Sequence, residues 1–392
     1  MTHQEITKLL QTEMVPALGC TGPTAYALAA ACCRPYLTAA SEQIRIYVSP
    51  AFLKIGFGVA TPGTSRPGIP IAVALGLIGG DHKLGLQVLE PATAEDMRAA
   101  DKLVDSGIIQ VLCDWEKKGV YVRAEVETKN ETVLAVVEHT HDGISLIQVN
   151  GKTIYEKTIA TGEAESNQER FMTIDEIFSY VENAPLNDIR FLLDGWKMNM
   201  ALAQAALEQP FGLASGRAYL KEYWKARGVP EDLFDRPMDY LPDNAVERSK
   251  ILVAAASDGR MGGCRLPAMA AMGDGNQGLT GTIPIGVAAQ FLGADEETTC
   301  RALAMSCLML FFVKMNIGRA AAFCLCAIAA SAGVAAGLSY LRGMPRELIC
   351  GAVKNVISPL AGMLCDGAKN GCALVLTQDT TNPDQRKMPG HD

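Results

Sequence analysis

Hydrophobic and polar positions follow two different patterns along this chain. Between about residues 43 and 160, apolar and polar residues alternate in short runs such as QIRIYVSP, VYVRAEVET, TVLAVVEHT, ISLIQVNG and KTIYEKTI. A period of two is typical of half-buried β-strands, and the Asp-Gly and Asn-Gly pairs at 142–143 and 150–151 are typical of tight turns. We also assign the run LKIGFGVA to a strand, and we predict helices at 68–79 and 94–106 between the strands.

The rest of the chain has mainly helical patterns. Predicted helices cover 4–15, 23–34, 173–182, 186–207, 211–226, 244–257, 284–292, 296–313, 317–341 and 345–357. The polar segment 161–170 is the predicted linker. Because the two N-terminal helices are too short to bury their apolar faces alone, we expect them to pack on the later helices. The prediction is an α+β fold, in which a discontinuous, mostly helical domain (1–40 and 166–392) carries an inserted α/β sandwich-like domain (41–165).

Composition and charge exclude several classes of function. The 392 residues are 49% hydrophobic, which is enough for large cores, and the net charge of −8 argues against nucleic acid as a partner. The start of the chain lacks the pattern of a secretory signal, so we expect a cytoplasmic protein. The uncharged run 320–341 is long enough to span a membrane, but its Ala, Gly, Ser and Cys content favours a buried central helix and no membrane association.

Two segments have residue types that suit a reactive or binding site. Cys20, in PALGCTGP, lies next to a predicted helix N-terminus, where the helix dipole favours a thiolate. The segment MGDGNQGLTGTIP at 272–284 contains four closely spaced glycines, and such a loop can direct several backbone N–H groups toward an anion. Both segments also have a purely structural explanation, as a buried cysteine in a turn and as a loop between helices.

Two further segments contain paired cysteines. Cys324 and Cys326 are predicted to lie on one helix, where a spacing of two residues would point them in different directions. Cys365 and Cys372 lie in a turn-rich stretch, but their spacing matches no common zinc or ferredoxin pattern. The five histidines are dispersed and predict neither a zinc site nor a catalytic triad; His82 is the one considered for a pocket, with an exposed loop position as its alternative.

Five segments taken together resemble the L-cysteine desulfidase family, which is related to the α chain of iron–sulfur L-serine dehydratases. They are PALGCTGPTAYALAAA, SDGRMGG, GDGNQGLTGTIP, NIGRAAAFCLCAIAASAGVAAG and GMLCDGAKNGCAL, and they occur in order over essentially the whole chain. The resemblance implies a [4Fe–4S] cluster held by Cys20, Cys324 and Cys365, with Cys326 as the alternative middle ligand. One iron would remain open to the substrate, and no pyridoxal phosphate would be needed.

The implied reaction is α,β-elimination from L-cysteine, which releases sulfide, pyruvate and ammonia. On this basis we assign binding of a small amino-acid substrate to Thr21, Gly273, Asn276, Gln277 and Gly278. Lys54 and Lys314 are the candidate catalytic bases, on condition that burial lowers their pKa; surface or salt-bridged lysines are the alternative. The sequence is compatible with a homo-oligomer.

Two positions depart from the pattern of the family. Gly22 stands where an acidic residue is usual, and Asp274 stands where the glycine-rich segment commonly has serine. Because both changes alter charge next to the expected pocket, two alternatives stay open. The substrate can be L-serine or another β-substituted amino acid, or the chain can be a non-catalytic binding or cluster-sensing protein on the same scaffold.

Overall fold

The computed structural model describes residues 1–18, 21–58, 60–61, 64, 66–157, 172–230, 236–318, 321, 323–365 and 367–379. The strands are β1 (Met14–Leu18), β2 (Ser41–Val48), β3 (Ile109–Cys113), β4 (Tyr121–Thr128), β5 (Thr132–Glu138), β6 (Ile144–Val149), β7 (Lys152–Glu156) and β8 (Pro267–Ala271). The predicted linker 161–170 lies outside the described residues.

The helices of the first half are α1 (His3–Glu13), α2 (Thr21–Cys33), α3 (Pro50–Gly56), α4 (Ile69–Gly79) and α5 (Ala94–Asp105). Those of the second half are α6 (Ile174–Asn183), α7 (Leu186–Ile189), α8 (Phe191–Glu208), α9 (Ser215–Lys225), α10 (Ala245–Met261), α11 (Gly275–Leu292), α12 (Glu296–Ile317), α13 (Leu325–Leu341), α14 (Arg346–Leu360) and α15 (Cys372–Asp379). The predicted α+β fold class is confirmed.

The main sheet has six strands in the order β3-β2-β4-β5-β6-β7. β2 and β3 are parallel, and the other neighbours are antiparallel. Short connections join β4 to β5, β5 to β6 and β6 to β7, as antiparallel hairpins allow. Alternate residues of β2 are buried, with Ile44, Ile46 and Val48 facing the core, which is the period of two seen in the sequence. The strand prediction for this part of the chain is therefore confirmed for β2, β4, β5, β6 and β7.

The two N-terminal helices pack in different places. Ile6 and Leu10 of α1 lie in a core formed with the later helices, as expected. α2, in contrast, belongs to the core of the sheet, together with α4 and the buried faces of β2, β4 and β5. The expectation that both helices pack on the later helical part is wrong for α2, because its apolar surface has no single face and is buried all round.

Three local predictions are corrected. The described residues of LKIGFGVA form no strand, and the run begins inside α3. Ser49 caps this helix by accepting a hydrogen bond from the Phe52 N–H (3.3 Å), and Pro50 occupies the first helical turn. The glycine-rich segment is a loop only as far as Asp274, because α11 begins at Gly275 and continues through Pro284. The predicted helix 317–341 begins only at Leu325, after α12 has ended at Ile317.

From Leu325 onward, the apolar run that raised the question of a membrane forms α13, and most side chains of this helix are buried. Among the described residues, one helix is long and apolar enough to cross a membrane. It is α12, and 72% of its most apolar stretch is buried inside the protein. Burial of that extent is what a central helix of a helical core requires.

Candidate functional site

A cavity of about 330 Å³ lies where the sheet-containing part meets the later helices. Its wall comes from α3, the turn between β5 and β6, the end of α10, the start of α11, α12, the segment before α13, and the segment between α14 and α15. The lining residues with chemically active side chains are Lys54, His141, Arg260, Asp274, Asn276, Gln277, Lys314, Cys324, Cys326, Cys365 and Cys372. The cavity thus combines thiols, cations, amides and a carboxylate.

Four thiols line the cavity, although they are spread over 49 positions of the sequence, from Cys324 to Cys372. A short antiparallel bridge between Phe323 and Leu364 brings two segments together, and the Cys324 N–H donates to the Met363 carbonyl at 2.9 Å. This bridge places Cys324 beside Cys365, and the two side chains are hydrogen bonded. The convergence of Cys324 and Cys365, expected from the resemblance, is thus present in the fold.

Cys326 lies at the same wall, contrary to the expectation that Cys324 and Cys326 point in different directions. That expectation assumed one continuous helix, but Cys324 has extended backbone at the N-cap of α13 and only Cys326 is inside the helix. The Cys324 and Cys326 side chains are hydrogen bonded to each other. The Cys326 thiol also donates to the Asp274 carboxylate, with 3.4 Å between Sγ and Oδ2.

The environment of these thiols disfavours the thiolate form. The hydrogen bond to Cys326 raises the pKa of Cys324 to about 12, and the contact with Cys324 together with burial raises the pKa of Cys365. For Cys326 the hydrogen bond with Cys324 lowers the pKa, but burial and the charge of Asp274 produce a net rise to about 12. Binding of a metal by these side chains would therefore release protons.

Asp274 connects the thiols to the cations. It is the N-cap residue of α11, and its Oδ1 accepts from the Asn276 N–H at 2.9 Å while its Oδ2 accepts from Gln277 Nε2 at 3.1 Å. Burial raises the pKa of Asp274, but Arg260 and Lys314 more than offset this effect and hold the pKa below its ordinary value. Asp274 is therefore an anion at neutral pH.

Arg260 and Lys314 are buried cations, each 1% exposed. Arg260 Nη1 is 3.8 Å from Asp274 Oδ1, and Lys314 Nζ donates to the Met272 carbonyl at 2.9 Å. Met272 and Gly273 both have positive φ angles, 47° and 78°, in the turn that leads to Asp274. Such backbone conformations are concentrated at functional sites, where the surrounding structure maintains them.

The other candidate site residues are distributed as follows. Lys54 lies on α3, not on a strand, and its Nζ donates to the Ala321 carbonyl at 3.1 Å. Gly273, Asn276 and Gln277 line the cavity, whereas Gly278 packs against the backbone of β8, where an added Cβ would lie 1.9 Å from the Met269 carbonyl oxygen. Cys20 lies outside the described residues, and so does the side chain of Thr21.

Two cavity residues were missed by the sequence reasoning. Arg260 is part of the SDGRMGG segment but received no role, and His141 was set aside with the dispersed histidines. His141 lies in the turn that precedes β6, and its ring packs against Phe52 with 5.5 Å between centroids. The sequence does indicate that His141 lies beside the Asp-Gly turn. The neighbouring residues, however, do not indicate which part of the protein this turn contacts.

Among the described residues, no three Cys, His, Asp or Glu side chains are arranged to hold a single metal ion. The donor set is nevertheless the type that iron–sulfur clusters use, since four thiols line one cavity. A cluster of four irons needs its ligands spread around a cube rather than gathered at one point. The described thiols fit such a group in their chemistry and in their shared wall.

Comparison with known proteins identifies relatives over nearly the whole chain. The model of the serine dehydratase alpha chain family matches residues 83–378. A UPF0597 protein of Desulforapulum autotrophicum is 37% identical over 383 residues, which cover 95% of this chain and 84% of that protein. A UPF0597 protein of Clostridioides difficile is 35% identical over 376 residues, or 94% of this chain and 85% of that protein. No solved structure matches the chain significantly. The chain belongs to the serine dehydratase alpha chain family.

Proposed function

We propose that this protein is a cytoplasmic iron–sulfur lyase that degrades L-cysteine to sulfide, pyruvate and ammonia. The observation that carries the proposal is the convergence of Cys324, Cys326, Cys365 and Cys372 on one cavity that also contains buried cations and amides. Thiols gathered beside Arg260 and Lys314 suit a centre that binds soft iron and an anionic substrate together. Membership of a dehydratase family supports a lyase, because dehydration and desulfuration are both α,β-eliminations.

Cys324 and Cys365 would hold a [4Fe–4S] cluster, with Cys20 as the third ligand expected from the resemblance and Cys326 as the alternative to Cys324. When bound, the cluster supplies a Lewis-acidic iron that accepts the departing sulfur. The cavity residues must then hold the amino acid and remove its α-proton. The elimination breaks the Cα–H and Cβ–S bonds and yields aminoacrylate and sulfide. Aminoacrylate tautomerises to an imine, and water converts the imine to pyruvate and ammonia.

Three side chains are candidates for removing the α-proton. Lys54 and Lys314 line the cavity, but each already donates its Nζ to a backbone carbonyl, Ala321 and Met272 respectively. A lysine must lose its proton before it can act as a base, whereas a neutral imidazole accepts a proton near pH 7. We therefore favour His141 as the base, and Lys54 and Lys314 as cations that stabilise negative charge developing on the substrate.

The same cavity also suits L-serine as the substrate. The family model that matches the chain is that of a serine dehydratase alpha chain, and hydroxide would then leave in place of sulfide. The carboxylate, the ammonium and the α-proton are common to both substrates. The two activities therefore differ only in the group that leaves the β-carbon.

Anaerobic purification followed by iron, sulfide and activity measurements tests the proposal. We expect the wild-type protein to contain iron and sulfide and to release sulfide from L-cysteine faster than pyruvate from L-serine. Cys20→Ala, Cys324→Ala and Cys365→Ala should each abolish cluster incorporation, because three thiolates are needed to hold the cluster while one iron stays open. Cys326→Ala tests the alternative ligand.

Cys113→Ala is the matched control, because Cys113 lies on β3 at the edge of the sheet and away from the cavity. It should retain wild-type iron and sulfide. Equal iron contents in all the variants would contradict the ligand assignment. A wild-type protein without iron would refute the lyase and favour a binding module on the same scaffold, whereas faster pyruvate release from serine would make the protein a dehydratase.

A further inference from the structure

Arg260 fits into the cavity wall because the residue beside it, a glycine, has no side chain. It lies near the end of α10, and its guanidinium packs over the first residue of α11, Gly275. A Cβ added at Gly275 would lie 2.2 Å from Arg260 Nε, so only glycine leaves room for the arginine there. Burying a guanidinium costs free energy unless an anion or hydrogen-bond acceptors compensate the charge. Among the residues that the structure describes, Asp274 is the anion beside Arg260.

The wall of the cavity contains two buried cations. Arg260 and Lys314 are both buried, and Asp274 is the one carboxylate among the described residues that line the cavity. The 3.8 Å between Arg260 Nη1 and Asp274 Oδ1 is an ion-pair distance and not a hydrogen bond. Because Arg260 lines the cavity, a ligand carboxylate that enters it would meet a guanidinium group with a planar donor fork.

Acceptors for a positive group lie beside the same pair. Asn276 is 3% exposed and Gln277 is 1% exposed, and within the described part of the chain Asn276 Oδ1 and Gln277 Oε1 have no hydrogen-bond partner. Buried polar atoms without a partner cost free energy, which a bound donor would recover. The Asp274 side chain retains 31% exposure and adds a charged acceptor. An ammonium group has three N–H donors that suit such a set.

We propose that Arg260 binds the α-carboxylate of the substrate and that Asp274, with the side-chain oxygens of Asn276 and Gln277, binds its α-ammonium. An α-amino acid carries both charges on one carbon, so its receptor must hold opposite charges a few ångströms apart, as this pair does. Cys326 Sγ lies 3.4 Å from Asp274 Oδ2, so the bound amino acid lies beside the thiols. The inference deepens the proposed function and rests on it for the choice of an amino acid as ligand.

Three small ligands that cannot undergo elimination test this receptor. L-Alanine carries both charges, propionate lacks the ammonium and ethylamine lacks the carboxylate. Isothermal titration calorimetry on the anaerobically purified full chain should show that L-alanine binds about tenfold or more tightly than either analogue, because each charged contact contributes. This comparison needs no variant, and equal affinities for L-alanine and propionate would overturn the role of Asp274.

Two variants assign the charges to the residues. Asp274→Asn should weaken L-alanine binding about tenfold and leave propionate unchanged, whereas Arg260→Gln should weaken both and leave ethylamine unchanged. Asp243→Asn, at an exposed position outside the cavity, is the matched control and should bind all three ligands as the wild type does. If Asp274→Asn weakens propionate as much as L-alanine while circular dichroism shows a folded protein, Asp274 only supports the local structure.

Iron and sulfide release are measured on the same preparations, so that the two hypotheses fail separately. An iron-free protein that still discriminates among the three ligands would refute the lyase and retain the amino-acid receptor. An active, iron-containing enzyme without this discrimination would retain the lyase and refute the receptor.

Discussion

Individual glycines near the cavity have different roles, although the sequence presents them as one glycine-rich segment. Gly273 has a positive φ of 78° and forms the turn before α11. Gly275 leaves room for the guanidinium of Arg260, and Gly278 allows α11 to approach the backbone of β8. Of these three glycines, only Gly273 lines the cavity. The segment that was expected to be an anion-binding loop therefore consists of a tight turn followed by the N-terminus of α11. Two of its glycines allow close contacts with Arg260 and with β8.

Gly275→Ala should separate ligand binding from folding. The added Cβ meets the flexible side chain of Arg260, which can move, so we expect L-alanine binding to weaken about tenfold with little loss of stability. Gly278→Ala is the comparison, because its Cβ would meet the Met269 carbonyl oxygen, which cannot move alone. It should lower the free energy of unfolding by about 2 kcal/mol. Calorimetric titration and urea unfolding measure the two effects, and unchanged L-alanine binding in Gly275→Ala would contradict the packing argument.

Asp258 makes the stability of the protein depend on pH. The residue is fully buried, and its Oδ2 accepts from the Gly216 N–H at 2.9 Å. Burial raises the pKa of Asp258 from 3.8 to about 6, although hydrogen bonds from the 213–216 backbone oppose the rise. The folded state therefore holds the proton over a pH range in which the unfolded state has released it, and stability falls as the pH rises from 4 to 6.

Asp258→Asn should remove this contribution. Relative to the variant, the wild type should lose about 2 kcal/mol of unfolding free energy between pH 4 and pH 7, as follows from the pKa difference. Urea unfolding at several pH values measures the loss. A stability difference between the two proteins that does not change with pH would show that Asp258 has an ordinary pKa in the folded state.

At the scale of elements, the interruption between α12 and α13 builds the thiol site. Gly318 has a φ of 107°, which only glycine adopts readily, and it ends α12 well before α13 begins at Leu325. The residues between the two helices include Phe323, which pairs with Leu364. This pairing aligns Cys324 with Cys365. The sequence prediction has a break at 314–316 and starts the second helix at 317, because the small and apolar residues that follow favour a helix from there.

At α3, in contrast to the segment before α13, residues close together in the sequence do indicate the structure that forms. Ser49 and Pro50 are a good helix start, whereas the alternation in LKIGFGVA, which follows them, predicts a strand. Lys54 consequently moves from a strand to a helix. On α3 its Nζ reaches the Ala321 carbonyl across the cavity wall, which a strand position did not suggest.

At the scale of the whole molecule, the cavity exists because the sheet part and the later helices meet. The turn before β6 contributes His141, and α3 contributes Phe52 and Lys54. A Cβ added at Gly273 would lie 2.8 Å from His141 Nδ1, so the histidine is packed closely against the turn before α11. The site therefore requires both halves of the chain to be folded and in contact.

His141→Gln tests the role of this contact. If His141 removes the α-proton, kcat should fall by about 100-fold or more, while L-alanine binding stays near wild type. His82→Gln is the matched control, because His82 lies outside the described cavity wall, and its kcat should be unchanged. Steady-state rates with L-cysteine measure the effect. A variant that loses L-alanine binding but retains kcat would show that His141 only shapes the wall.

The sequence alone was sufficient for the α+β class, most helices, five strands of the main sheet and the family, because these depend on short periodic patterns and on motifs that are local in the chain. Three features depend on packing between residues that are far apart in the sequence. They are the association of α2 with the sheet, the approach of Cys326 to Asp274, and the positions of Arg260 and His141 in the cavity wall. A residue's own neighbours in the sequence carry no information about such contacts. They depend on which buried surfaces fit each other once the helices and strands have formed.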